Sequence, residues 1–440
     1  MDILEDINSS PSPYHAVETQ VKILKEHGFK QLNEKDDWDL SSSGRYFVVR
    51  DFSSLIAFVN PGKNSGEIPH IRIGGAHTDS PTLKLKSKPL KFKKEMLVWD
   101  IEIYGSPIIT TWFDRDLSLA GLVGYLDGSG EIRHTLVNFK NAITRIPHLA
   151  IHLNREVNKG YAPNLHEEIN PIFGLINKKG VETSADNSPD IIFKSLLKKQ
   201  LLENKNDQQN DIQILDWDLS FYDVQPTILS GLDKQWIVGA RLDNLLSCFA
   251  GTRALVDYAQ KGGKNSDTLA ILACFDHEEV GSVSSVGADS NFAESVLRRV
   301  VPDQKNFDRA MAQTRMLSVD NAHACHPNFP SKQDESHCPA LGGGLVIKRN
   351  NSRRYTTDVI SGSWFKALCL QEGIKTEYFS MRADMPCGST IGPMLSSKLG
   401  LSSIDIGVPT WAMHSIRETA GVNDFKDLYK VWKAFYGSQK

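Results

Sequence analysis

Residues 268–275 form a largely apolar run, TLAILACF, and four ionisable residues follow it directly: Asp276, His277, Glu278 and Glu279. A short apolar run of this kind predicts a strand that is buried on both faces. The flanking segments 243–260 and 292–300 have the residue spacing of helices. Strands that alternate with helices of about 10–15 residues predict an α/β fold with a mostly parallel sheet flanked by helices.

This alternation continues from residue 236 towards the end of the chain, and a helix followed by strand-like runs precedes residue 83. Between residues 84 and 235 the apolar runs become short and β-like, with one helical pattern near residues 189–202. The sequence therefore predicts one α/β domain made of residues 1–83 and 236–440. Residues 84–235 are predicted to form a β-rich insertion within it.

The charge balance argues against a nucleic-acid or membrane partner. Fifty basic and fifty-three acidic residues leave a formal net charge of −3, so no basic field covers the chain. The one basic run, residues 84–94, alternates lysine with leucine and predicts a solvated edge strand. No apolar run approaches the ~18 residues of a membrane span. The acidic start lacks the apolar segment of a secretory signal, so we expect a cytoplasmic protein.

The cysteines are predicted to be reduced core residues. None of them forms a C-x-x-C pair, and a large cytoplasmic chain has little need of disulfides. They are Cys248, Cys274, Cys325, Cys338, Cys369 and Cys387.

Acids and histidines follow the apolar runs at five places. In open α/β sheets, sites form outside the carboxyl ends of the strands. Imidazole and carboxylate groups together suit zinc, manganese or cobalt. Several acids in one cleft need cations to neutralise them, and two divalent ions would do so. The residues are His77 and Asp79, Asp243, Glu278 and Glu279, Asp320, and His414.

Each of these motifs also has a simpler explanation. His77 and Asp79 fit a local hydrogen bond, Glu278 and Glu279 fit a solvated pair, and Asp243 fits a helix N-cap. Because these motifs recur at predicted strand ends, a metal site explains them as well as the simpler explanations do.

Seven blocks of sequence resemble the M18 aminopeptidases, also called aspartyl aminopeptidases, and are most similar to the bacterial members. The resemblance extends from the first helix to the last. The blocks cover residues 75–81, 112–121, 240–244, 276–282, 320–323, 386–393 and 412–418.

The resemblance implies a co-catalytic zinc peptidase fold with two divalent metal ions per subunit. Zinc is the expected metal, with manganese or cobalt as alternatives. Glu278 would act as general base and acid, and Asp79 would hydrogen-bond His77. The implied ligands are His77, Asp243 (bridging both ions), Glu279, Asp320 and His414.

The resemblance also implies a substrate pocket and an assembly. Lys348 and Tyr355 would select an N-terminal Asp or Glu, although a solvated strand end also explains Lys348. His152 would reach into a neighbouring subunit's site, although a satisfied histidine in a β-rich core explains it equally simply. The β-rich insertion would be an oligomerisation domain through which subunits form dimers that assemble into a dodecamer.

The expected function is that of a metal-dependent aminopeptidase acting on peptides with a free N-terminus. Two alternatives stay open. One is a two-metal carboxypeptidase or deacylase on a related fold, and the other is an oligomeric scaffold with no catalytic activity.

Overall fold

A computed structural model describes residues 2–61, 70–175, 188–203, 212–262, 267–301 and 303–438. The helices are α1 (Ile3–Asn8), α2 (Pro13–Glu26), α3 (Pro189–Glu203), α4 (Leu242–Gln260), α5 (Phe292–Val300), α6 (Gln304–Gln313), α7 (Val359–Glu372), α8 (Ile391–Leu399) and α9 (Val422–Gly437). Among these described residues, no helix combines the length and the apolar character that a membrane crossing needs.

The strands before α4 are β1 (Lys30–Leu32), β2 (Gly44–Arg50), β3 (Ser54–Asn60), β4 (His70–His77), β5 (Thr82–Lys93), β6 (Met96–Tyr104), β7 (Leu117–Leu126), β8 (Ile132–Asn138), β9 (Ile172–Leu175), β10 (Gln213–Asp223), β11 (Ile228–Ser230) and β12 (Trp236–Gly239). The later strands are β13 (Thr268–Phe275), β14 (Arg315–Val319), β15 (Ala322–His323), β16 (Leu345–Lys348), β17 (Thr376–Phe379), β18 (Ser402–Gly407), β19 (Pro409–Trp411) and β20 (Glu418–Gly421).

The chain forms two compact units. The first unit contains Met1–Ser80, Thr227–Met413 and Arg417–Lys440, and the second contains Pro81–Pro226 and His414–Ile416. The sequence predicts domain boundaries at residues 83/84 and 235/236. The assignment of a catalytic and an oligomerisation domain to these parts of the chain stays a prediction.

A nine-stranded sheet organises the first unit, in the order β1-β2-β3-β13-β4-β14-β18-β16-β17. Five of its eight neighbouring pairs are parallel, including β13 with β4 and β4 with β14. The predicted α/β fold with a mostly parallel sheet is therefore confirmed. Antiparallel pairs involve β2 with β3, β3 with β13, and β16 with β18.

Helices cover both faces of this sheet. Alternate residues of β13 enter two different apolar clusters, because successive side chains of a strand point to opposite faces. Leu272 packs in the cluster that contains residues of α1, α2, α4, α7 and α9. Ile271 packs in the cluster that contains residues of α5, α6 and α8. This arrangement explains why residues 268–275 are buried throughout.

The first unit also contains a five-stranded sheet, in the order β11-β12-β20-β19-β15. Strand β12 leads through Arg241 into α4, and β19 pairs with β15 just beyond the end of β14. This sheet therefore carries two of the chain segments that the sequence singled out for their acids.

The second unit contains a six-stranded sheet, in the order β8-β7-β10-β5-β6-β9. The lysine-rich strand β5 lies inside this sheet, so the predicted edge position is wrong. Acids on the neighbouring strands offset its charge: Lys84 Nζ lies 2.9 Å from Asp218 Oδ2, and Lys91 Nζ lies 2.9 Å from Asp100 Oδ1. The alternation of lysine with leucine predicts which face of the strand each side chain lies on, but it does not predict the position of the strand in the sheet.

Two of the cysteines are not reduced in this structure. Cys325 and Cys338 form a disulfide with a Cα–Cα distance of 4.9 Å, which closes a loop over a sequence separation of 13 residues. The prediction of uniformly reduced cysteines failed because it considered only closely spaced pairs. Cys248, Cys274 and Cys369 are buried free thiols, as expected of core residues.

Candidate metal centre

The site begins at the carboxyl ends of three adjacent parallel strands, β13, β4 and β14. His77 is the last residue of β4, and Asp320 follows β14 directly. Glu278 and Glu279 lie in a single 3₁₀ turn, Glu278–Val280, just beyond β13. The order of the strands brings these residues together, as expected for the carboxyl edge of an open α/β sheet.

Three side chains form the candidate metal site. One possible ligand atom each from His77, Asp243 and Glu279 lies within 4.8 Å of the other two. His77 Nε2 is 3.4 Å from Asp243 Oδ1 and 3.4 Å from Asp320 Oδ1. The structure thus brings four of the five predicted ligands into one neighbourhood, centred on the imidazole of His77.

Asp79 connects the histidine to the glutamate turn. Its carboxylate is fully buried and accepts hydrogen bonds from the backbone amides of Glu278 (3.2 Å) and Glu279 (3.1 Å). His77 Nδ1 lies 3.1 Å from the backbone oxygen of Asp79 and 3.4 Å from its Oδ1. One side chain therefore sets the orientation of the imidazole and the position of both glutamates.

Asp243 lies in the distorted first turn of α4. Asp243 and Asn244 have non-helical backbone angles, and the peptide bond between them is cis. The backbone amide of Asp243 donates to Glu418 Oε2 at 3.0 Å, and Ser80 Oγ donates to its backbone oxygen at 2.6 Å. These contacts fix the Asp243 backbone, and the simple N-cap predicted as an alternative does not occur.

Lys348, at the end of β16, contacts the site through Asp320. Its Nζ lies 2.9 Å from Asp320 Oδ2, and its side chain is almost completely buried, whereas that of Asp320 is partly buried. The ammonium also lies 5.4 Å from the ring centroid of Tyr355, which packs in a small apolar cluster with Phe379. Lys348 is therefore not the solvated strand end that was kept as an alternative.

The charges at this site shift the pKa values of its groups. Burial raises the pKa of Glu278 to about 8, and the charges of Asp320, Asp79 and Asp243 add to the effect. Burial and the charge of Asp243 raise the pKa of Glu279 well above its usual value. Crowded carboxylates resist ionisation in this way when no cation neutralises them.

The other two groups shift because of their partners. Burial alone would lower the pKa of His77, but hydrogen bonds to Asp243, Asp320 and Asp79 raise it well above its usual value. Burial alone would raise the pKa of Asp320, but the Lys348 charge and His77 hold it well below its usual range.

This donor set suits a divalent cation. It combines an imidazole nitrogen with carboxylate oxygens, the ligands that zinc and similar ions accept. A bound cation would favour the ionised carboxylates, whose crowding is costly in the protein alone.

The comparisons with known proteins agree with this geometry. The family model described as aminopeptidase I zinc metalloprotease (M18) matches residues 7–436.

The chain belongs to the M18 family of metallo-aminopeptidases.

Relatives of known name and structure extend over the whole chain. A probable M18 family aminopeptidase 2 from Stutzerimonas stutzeri is 45% identical over 99% of this chain and 97% of its own. The cryo-EM structure of the Ape4 and Nbr1 complex matches with a TM-score of 0.95 and 36% identity, covering 99% of this chain and 84% of that one. The S. cerevisiae mApe1 dodecamer matches with a TM-score of 0.84 and 27% identity, covering 99% and 95%. The predicted enzyme class is therefore confirmed: the chain is an M18 peptidase.

Two predicted site residues of this M18 peptidase lie in the second unit. His414 Nδ1 is 3.1 Å from the backbone oxygen of Ser106, and the backbone amide of Ile108 donates to the His414 oxygen at 2.9 Å. His152 lies in an exposed turn that the hydrogen bond from Leu153 N to Ala150 O closes, at 2.8 Å. The apolar run at residues 149–153 forms no strand, and His152 is exposed, so it is not the satisfied histidine of a β-rich core.

Glu418 is the positioning residue of this M18 peptidase that sequence reasoning passed over. It lies on β20 with 2% of its surface exposed and holds the backbone of Asp243. It belongs to the block 412–418 that resembles the M18 family, but that resemblance implies no role for it. The available signal is a glutamate that begins a short strand run of small residues, Glu418-Thr419-Ala420-Gly421, because an acid buried in such a strand needs a specific partner.

Proposed function

We propose that this M18 peptidase removes the N-terminal residue of peptides, with a preference for Asp or Glu, by a mechanism that uses two divalent metal ions. The main support is the cluster of His77, Asp243 and Glu279, with Glu278 beside it and Asp320 within reach of the same imidazole. The proposed ligands are His77, Asp243, Glu279, Asp320 and His414.

Glu278 is the proposed general base. When bound, the ions would polarise the scissile carbonyl and lower the pKa of water. Glu278 then takes a proton from the attacking water and delivers it to the leaving amine. Glu278 adjoins the proposed ligand Glu279 in the turn that Asp79 holds, which supports this role.

Asp79 would act as a positioning residue. It holds His77 in one orientation and both glutamate amides in one turn, so proton transfer and metal binding share a rigid support.

Lys348 and Tyr355 are proposed to bind the side chain of the first substrate residue. A buried ammonium next to the metal cluster is a fixed cation that a carboxylate would pair with. Tyr355 is buried beside this ammonium and would form one wall of the proposed pocket.

Homo-oligomerisation is the proposed role of the second unit, with dimers assembling to a dodecamer. His152 is flanked by Leu149, Ile151 and Leu153, whose exposed fractions are 56%, 45% and 75%. Apolar side chains grouped on an exposed turn are typical of a protein interface. The mApe1 relative is a dodecamer, which supports the same assembly here. In such an assembly, His152 is proposed to act in a neighbouring subunit's site. A cytoplasmic location stays a prediction.

One panel of substrates tests this function. The metal-depleted protein is reloaded separately with zinc, manganese or cobalt and assayed on pairs of peptides that differ only in an acetylated or free N-terminus. We expect activity to return with metal, only on the free peptides, and to be highest for Asp and Glu. Turnover of the acetylated peptides would favour a carboxypeptidase or deacylase. Inactivity with all three metals would favour a scaffold.

A further inference from the structure

A second candidate binding site lies in the first unit, beside β15 at the edge of the five-stranded sheet. It is a cavity of about 380 Å³, within the ~300–1,000 Å³ of small-ligand pockets. Its walls come from β15, β19, the end of β17 and the loop that the Cys325–Cys338 disulfide closes. The large apolar side chains of its lining are Phe329, Phe379, Trp411, Met381, Met385 and Met413.

The lining specifies an uncharged occupant. Methionine side chains adapt to apolar ligands of different shape, and aromatic rings offer flat apolar surfaces. Arg382, one of two cations at the cavity, is paired through its Nε and Nη2 atoms with both carboxylate oxygens of Asp384. The charge of the other cation, Lys332, also acts on Asp384, and Asp334 acts on Arg382. Two carboxylates thus offset the two cations, so the cavity favours an apolar side chain over a charged one.

The cavity adjoins the proposed pocket for the first substrate residue. Phe379, in its wall, is the register partner of Lys348 in the parallel pair β16 and β17. Phe379 also packs in the same apolar cluster as Tyr355, and Met381 packs against that cluster. On the other side, His323 of β15 comes only three residues after Asp320 in the chain.

We propose that this cavity binds an apolar side chain, preferably an aromatic one, from the first two residues after the scissile bond. The inference rests on the proposed aminopeptidase function. An aminopeptidase substrate has only one residue before the scissile bond, and Lys348 and Tyr355 are assigned to its side chain. A neighbouring pocket of apolar character therefore binds the part of the peptide that leaves.

Three tetrapeptides test the proposal on the metal-loaded, full-length protein: Asp-Ala-Ala-Ala, Asp-Phe-Ala-Ala and Asp-Ala-Phe-Ala. Release of Asp gives kcat/KM for each. We expect one of the two Phe peptides to exceed the all-Ala peptide about tenfold, because an apolar pocket discriminates by about this much. The gain should appear mainly in KM.

In the variant Phe329→Ala, the ratio of kcat/KM for the preferred Phe peptide to kcat/KM for the all-Ala peptide should fall close to one. Phe329 is 58% exposed, so its truncation should leave the fold intact, which thermal unfolding would verify. Met385→Ala, at another wall of the cavity, should act in the same direction. The control is Leu370→Ala, an exposed apolar residue of α7 outside the cavity, which should keep the wild-type ratio.

The outcomes separate this proposal from the function on which it rests. Equal kcat/KM for the three peptides, or an unchanged ratio in both cavity variants, would overturn the cavity assignment and leave the aminopeptidase standing. A preference for Phe at the first position that Phe329→Ala removes would also overturn it, because the cavity would then bind the residue before the bond. Failure to cleave any peptide with a free N-terminus would overturn both.

Discussion

The two units hold their chemically important residues in opposite ways. In the first unit, Asp79 and Asp243 are buried. The Asp79 carboxylate accepts hydrogen bonds from backbone amides, and the Asp243 backbone amide donates to the carboxylate of Glu418. In the second unit, His152 lies on an exposed turn between exposed apolar side chains. Buried, hydrogen-bonded groups can act within one fold, whereas an exposed histidine on an apolar turn needs a partner to order it. Under the proposed function, catalysis would depend both on a site built within one chain and on a histidine that a neighbouring subunit supplies.

The largest effect is expected from a variant at the site of the first unit. Glu278→Gln should lower kcat by about 10²–10⁴-fold, because the amide cannot accept the proton from water. Metal content, measured by elemental analysis, should stay at the wild-type level. Glu26→Gln, an exposed residue of α2, is the matched control and should leave kcat unchanged. Normal turnover in Glu278→Gln would remove the base assignment.

The second side is tested by His152→Ala, which should lower kcat by about 10²-fold if this histidine stabilises the transition state in a neighbouring subunit. Co-expression with Glu278→Gln should then restore part of the activity, because hybrid oligomers contain sites with an intact Glu278 and an intact His152. Hybrids that stay inactive would show that both residues act within the same subunit.

His414→Ala asks whether a residue of the second unit contributes to metal binding. Removing a ligand should weaken metal affinity by at least the ~10–100-fold that loss of an outer-shell partner costs. Titration with a competing chelator measures this affinity. The control is His166→Ala, at an exposed histidine of the second unit, which should bind metal as the wild type does. Unchanged affinity in His414→Ala would exclude it as a ligand.

Lys348→Ala tests whether the first unit selects acidic substrates through this lysine. Loss of a hydrogen bond to a charged group should raise KM for Asp peptides by about tenfold, with a smaller effect on Leu peptides. Metal content must be measured in parallel, because Asp320 loses its ion-pair partner. An equal rise for both substrates would rule out acid selection by this lysine.

The smallest effect is expected from the double variant Cys325→Ser/Cys338→Ser. Loss of the loop closure should lower the free energy of unfolding by about 1–3 kcal/mol. The disulfide lies within the first unit, so the loss should not vary with protein concentration as an assembly effect would. Cys387→Ser, a free cysteine, is the control in denaturant unfolding. A concentration-dependent loss would connect this loop to assembly.

Much of the catalytic fold could be predicted from the sequence. Residues 268–275 are apolar at nearly every position because β13 is covered on both faces, and this pattern survives without any knowledge of its neighbours. The positions of His77 and Asp320 at strand ends followed from the same pattern, because parallel strands place their carboxyl ends at one edge.

The remaining features depend on contacts between distant segments. The alternation in β5 predicted a strand but not its interior place in the sheet, which depends on Asp218 and Asp100 on neighbouring strands. The apolar residues around His152 have the composition of a strand, but they form an exposed turn. No local pattern distinguishes a side chain that faces the core from one that faces a partner.

The metal-ligand cluster also bears on folding. His77, Asp243 and Glu279 come from segments far apart in the chain, and two of them lie at the carboxyl ends of strands that are neighbours only in the completed sheet. A chain with the sheet unformed cannot present these atoms together, so high-affinity uptake of a divalent ion would report native topology. A chromophoric metal indicator would thereby count correctly folded molecules during refolding, independently of any peptide substrate.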